Sequence, residues 1–211
     1  VIVDRIEIDL EDGLSLFRPQ DFLATCFDSP DFPADICGLS TRDPATGFVN
    51  ASVQQTLNVG SIRYRGENYN VNYSRNIGPG NLFLGVEATH TSLLEQSVTG
   101  SDLTRTDGTM AQPDWRARLD ARYGFGSWRL GYTLNYLPSA LTAYTATIET
   151  TDVATVDANY RHSVSAQYDI NESLTVRAGV ENFTDEMPSY PTASYGDILG
   201  RQYYMGVRAK F

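Results

Sequence analysis

Two histidines, two cysteines and a column of arginines are the side chains here whose types invite chemistry. His90 and His162 each fall in phase with the apolar residues of an alternating stretch, which suits a rim or interface role better than a base or ligand. No glycine-rich loop of the phosphate-cradling kind is present. Asp102, Asp107 and Asp114 share one loop, but their spacing is irregular for calcium, so a solvated acidic loop is expected. No catalytic constellation results, and the expectation is a protein that is not an enzyme, with neither metal nor cofactor.

Cys26 and Cys37 are the only cysteines and stand in one irregular stretch. A local disulfide and an oxidising compartment are the expected reading. Zinc is the weaker alternative, because the stretch offers no histidine. A nucleophilic cysteine is weaker too, since no base lies near either residue in sequence.

Arg116, Arg118 and Arg122 alternate with Trp115, Ala117, Leu119, Ala121, Tyr123 and Phe125, and Arg129 continues the column in the next stretch. A face this charged is foreign to a sandwich core but suits a watery lumen. Two roles are open: attraction of anionic substrates, or an internal network with Glu87, Asp120 and Glu181 that neutralises the wall.

Such a column needs a strand to hold it, and period-two alternation recurs along the chain. Eight strands are expected: around Arg5–Leu10, Asn58–Asn76, Leu82–Thr89, Trp115–Phe125, Trp128–Tyr136, Tyr160–Asp169, Leu174–Glu181 and the last twelve residues. The stretch from Glu11 to Leu57 reads as a long irregular loop, with a short helix around Gln20 to Thr25. Connections after the odd-numbered strands are long, and those after the even-numbered ones are the brief IGPG, GFGS and DINES. Long and short rims in alternation are the pattern of an antiparallel transmembrane β-barrel with short periplasmic turns and long extracellular loops. In the last strand Tyr203, Met205, Val207, Ala209 and Phe211 form one face, which would serve as a C-terminal assembly signal.

Composition agrees. The net charge of −10 argues against a nucleic-acid partner. Mean hydropathy of −0.30 does not exclude a barrel, whose strands give only alternate residues to lipid. No stretch is long and apolar enough for a transmembrane helix. The opening VIVDRIEIDL lacks the features of a signal peptide and reads as a strand already under way, so a mature product or a piece of something longer is expected.

The run LTVRAGVENFTDEMP and the terminal GRQYYMGVRAKF resemble the C-terminal end of a TonB-dependent outer-membrane receptor. Asn182, Phe183, Thr184, Asp185 and Pro188 match the motif that ends the penultimate strand; Gly200, Arg201, Tyr203, Gly206 and Phe211 match the closing one. The CFDSPDFPADICGLSTRDPATG segment and NVGSIRYRG are similar to such receptors as well, with Glu67 a departure where an aliphatic residue is usual. The resemblance implies a 22-stranded barrel with an N-terminal plug, taking up a siderophore–iron complex, a cobalamin-like compound or a glycan with TonB-coupled energy. Residues 1–211 would then be the C-terminal part of the barrel domain, in a Gram-negative outer membrane. Implied partners are lipid, the rest of the barrel and plug, the TonB complex through the plug, and the assembly machinery. The four arginines would face substrate or the plug. The rival readings are an autonomous eight-stranded barrel with a structural or adhesive role, and a soluble extracellular β-sandwich.

Overall fold

The computed structural model describes residues 1–27, 35–98, 103–190 and 195–210. Eight long strands form the main sheet: β1 (Ile2–Phe17), β2 (Gln55–Ile77), β3 (Gly80–Ser97), β4 (Trp115–Phe125), β5 (Trp128–Leu137), β6 (Asn159–Asp169), β7 (Leu174–Glu181) and β8 (Gln202–Ala209). They are hydrogen-bonded in chain order, β1 to β8, and the two-residue strand Thr104–Arg105 adds to β3. Every pairing from β3 to β8 is antiparallel and without a register shift. The order is an open path: among the described residues β1 pairs with β2 alone and β8 with β7 alone.

The alternation along each strand dictates two unlike faces, because neighbouring side chains point to opposite sides of a pleated sheet. Register keeps the faces pure. Val86, Leu119, Leu134 and His162 align across four strands, as Val180 aligns with Tyr203 and Ala178 with Met205. One residue over, Glu87, Arg118, Asn135 and Arg161 align on the opposite face.

The chain divides into two compact units. The first holds residues 1–6, 66–92 and 106–211. Among the described residues its buried apolar side chains lie off the main sheet: Ala140 and Val156 pair in a two-stranded ribbon, Ala154 and Tyr195 lie in loops, and Met110, Leu137 and Tyr190 pack against the core of Ala140, Val156 and Tyr195. On the sheet, Leu130, Val164, Tyr203, Met205 and Val207 stay exposed. An apolar face this large without a covering layer is not what a soluble sandwich presents.

The second unit holds residues 7–65 and 93–105 and differs from the expected loop between Glu11 and Leu57. β1 runs on to Phe17, helix α1 spans Pro19–Phe27, and a 3-10 turn covers Asp35–Leu39. A small ribbon then pairs Ser40–Arg42 with Val49–Ser52. The short helix falls where the sequence placed it. The rest was hidden from the alternation: Asp12, at a φ of 54°, and Gly13 interrupt β1, and the ribbon strands are too short to show a period. Cys26 and Cys37 are joined as a disulfide with Cα atoms 5.1 Å apart, tying α1 to the 3-10 turn.

Candidate functional site

On the polar face, β4 sets Arg116, Arg118 and Arg122 two and four residues apart, and the two-residue turn 126–127 brings Arg129 back on β5. All four arginines are exposed. The structure puts them on one face but gives each a different partner. Arg118 grips Asp120 through two bonds of 2.7 and 3.0 Å, and Asp120 also accepts from the Thr133 hydroxyl at 2.9 Å. Arg129 pairs with Asp169, which accepts as well from Gln167 and Thr175. Arg122 lies over the Phe83 ring at 5.1 Å, a cation–π contact. Arg116 donates to the Ala111 carbonyl at 3.3 Å.

The network that the sequence suggested is therefore real in part. Asp120 is a member, whereas Glu181 and Glu87 form no ion pair among the described residues. Asp169, at the end of β6 beside a short turn, replaces them as the second carboxylate. Arg161, which alternation placed on this face without a role, bonds Asp197 at 3.4 Å. A cleft of about 370 Å³ opens between these groups, lined by Glu87, Thr89, Arg116, Arg118, Asn135, Asn159 and Arg161 among others.

Above the cleft the loops after β3, β5 and β7 are folded onto one another. Residues 106–114 of the loop after β3 meet the 138–158 loop through Met110 N–H to the Leu141 carbonyl, 2.7 Å, and Leu141 N–H to the Gly108 carbonyl, 3.0 Å. Tyr195, from the third loop, is almost wholly buried and donates its hydroxyl to the Pro138 carbonyl. Burial pushes the Tyr195 phenol up to about 12, and the Asp114 carboxylate adds to the shift.

The stretch Asn182 to Pro188 is a strand-ending turn, as its sequence suggested. Asn182 is fully buried and takes a φ of 50°, a left-handed conformation that asparagine tolerates. Its amide donates to the Glu186 carbonyl at 2.8 Å and accepts the Glu186 N–H at 2.9 Å. Asp185 accepts the Arg201 N–H at 2.8 Å, so the motif fixes the entry to β8. On β8 Tyr203, Met205, Val207 and Ala209 do share one face; Phe211 lies outside the described residues.

The apolar face carries two aromatic belts. Near the long loops, Trp115 stacks on Tyr69 at 5.8 Å and on His90 at 4.5 Å, and Tyr136 meets Tyr160 at 4.9 Å. His90 belongs to this belt and hydrogen-bonds Glu67 at 2.8 Å, whereas His162, in the row of Leu134 and Leu119, lies inside it and hydrogen-bonds the Tyr132 hydroxyl at 2.8 Å. Glu67, unusual for its position, is thus matched by the histidine opposite it. Near the short turns Tyr123 packs on Phe125 and Trp128 on Tyr168. From Trp115 to Tyr123 the strand rises about 26 Å, or roughly 20 Å at barrel tilt, within the ~25 Å apolar band of outer-membrane barrels. Asp107 and Asp114 remain in the loop after β3, and Asp102 lies outside the described residues.

Belts, apolar band and arginine-bearing reverse face point to one kind of protein, and comparison with known families agrees. The family model for TonB dependent receptor-like, beta-barrel matches residues 20–183. The match takes in the disulfide segment and Asn182–Phe183 and stops short of β8. No curated protein and no solved structure matches the chain. With well over half of its residues matched, the chain belongs to the TonB-dependent receptor-like β-barrel family.

Proposed function

We propose that residues 1–211 form the C-terminal stretch of the wall of an outer-membrane receptor that takes up a scarce nutrient with TonB-coupled energy. Barrel domains of this family are found in the Gram-negative outer membrane, and its members are transporters rather than enzymes. The observation that carries the reading is the sheet with a bare apolar band between aromatic belts on one side and arginines on the other. Such a sheet needs hydrocarbon against one face and a wet interior against the other.

The open path from β1 to β8 supports a wall segment over an autonomous eight-stranded barrel, in which the first and last strands pair. In this reading the remaining strands and plug complete the cylinder, the plug makes the TonB contact, and Tyr203, Met205, Val207, Ala209 and Phe211 guide assembly. The arginine face meets substrate or plug. A siderophore–iron complex, a cobalamin-like compound and a glycan are the candidate nutrients.

The test is the protein mass of the native particle extracted in detergent, beside the mass of the denatured chain. Additional polypeptide sufficient for a plug and further strands is expected. A particle containing 23.4 kDa of protein and no more would sink the receptor reading in favour of the autonomous barrel.

A further inference from the structure

We propose that the short-turn end of the polar face, where β6, β7 and β8 meet, docks an extended acidic peptide presented from the periplasm. The inference rests on the barrel reading, which turns the short connections toward that compartment. Register gathers cations at this end. Gln167 on β6 stands between Arg129 on β5 and Arg177 on β7, and one step further Thr175 stands opposite Arg208 on β8. The Lys210 N–H bonds the Ser173 carbonyl at 2.8 Å, which carries the ladder on past the end of β8. Beside these residues opens a hollow of about 520 Å³, with Arg129, Arg208, Lys210, Asn171 and Ser173 in its lining.

Charge sets the chemistry of the partner. Arg129, Arg177, Arg208 and Lys210 share this end with the carboxylates of Asp169 and Glu172 alone among the described residues, an excess of two positive charges in a chain of net charge −10. Asp169 is already spent on Arg129, Gln167 and Thr175. Arg177, Arg208 and Lys210 are exposed and form no ion pair among the described residues. The cleft nearer the long loops is different: there Arg116, Arg118 and Arg161 are matched in number by Glu87, Asp120 and Asp197. Spacing then selects an extended peptide over a compact anion. Arg208 and Lys210 are alternate residues on one strand face, about 6.8 Å apart by strand geometry. Carboxylates on alternate residues of an extended peptide repeat at the same interval, so each can meet one cation. Side-chain hydroxyls and amides at Ser127, Ser173 and Asn171 line the same hollow and can bond the peptide backbone.

The experiment is fluorescence anisotropy of the full receptor in detergent with three fluorescein-labelled peptides, in which serine alternates with glutamate, glutamine or lysine. The glutamate peptide alone is expected to bind saturably, and to weaken by about tenfold or more between about 50 and about 500 mM salt. The double change Arg208→Gln/Lys210→Gln is expected to weaken it by about tenfold or more. Arg177→Gln, on β7, should weaken it as well and keeps the test open if changes in the terminal strand impair assembly. Arg18→Gln removes the same charge in the second unit and should leave binding unchanged. Reversal by Arg208→Glu/Lys210→Glu should transfer binding to the lysine peptide. The proposal is overturned if the glutamate peptide does not bind, if the glutamine peptide binds as tightly, if equimolar inorganic phosphate displaces it, or if the double variant and Arg177→Gln both bind as the wild type does. Outer-membrane fractionation and ionophore-sensitive uptake in cells test the receptor reading separately, so a failed titration beside intact localisation removes only the docking site.

Discussion

Tyr195 joins the loops after β5 and β7 with one hydroxyl, and its burial makes two consequences measurable. Tyr195→Phe keeps the ring in the small core with Ala140 and Val156 but removes the bond to Pro138. A loss of about 0.5–1.5 kcal/mol is expected in denaturant unfolding of the reconstituted receptor. The phenol's raised value also fixes a pH dependence. Below about pH 10 folded and unfolded states both hold the proton. Above it the unfolded state gives the proton up first, so stability falls as pH rises from about 10 towards 12. Ultraviolet difference spectra near pH 10 should show as many tyrosines ionising in the folded wild type as in folded Tyr195→Phe; one more in the wild type would contradict the burial.

At the scale of elements, β7 and β8 meet through a pairing that leaves no choice of residue. Gly179 lies opposite Tyr204, whose ring occupies the space a β-carbon at 179 would need. Gly179→Val is expected to loosen β8, detected as faster amide exchange from Tyr203 to Val207 while β4 and β5 keep their protection. Unchanged exchange in β8 would mean that the ring moves aside freely. The Cys26–Cys37 bond holds α1 to the 3-10 turn in the second unit. The double change Cys26→Ser/Cys37→Ser should expose the 18–54 segment to protease and leave the paired strands uncut. Equal resistance with and without the bond would take the disulfide out of the account of this loop.

For the whole molecule the deciding property is the solvent on each face. Leu119, between the two belts, is expected to face hydrocarbon, whereas its neighbour Arg118 faces the polar side. Leu119→Arg should cost about 2–4 kcal/mol in urea unfolding from lipid vesicles. Asp120→Ala, one residue on, breaks an exposed pair and should cost about 1 kcal/mol or less. Equal costs for the two substitutions would refute the assignment of faces.

Alternation by itself determined the eight long strands, their order of short and long connections and the residues on each face. It could do so because a period of two is a local property, set by backbone geometry and read without knowing any partner. The terminal motif likewise carried the family, although the matched region ends before β8. Only the tertiary structure decided which carboxylate each arginine meets. Glu87 stands opposite Arg118 in register, yet Arg118 turns to Asp120 on its own strand, and Asp169 holds Arg129 from forty residues away. The packing of three loops around Tyr195, the buried amide of Asn159 and the open edges of β1 and β8 were equally unreadable in sequence. Each depends on contacts between residues far apart in the chain, and no periodicity records which distant neighbour a side chain will find.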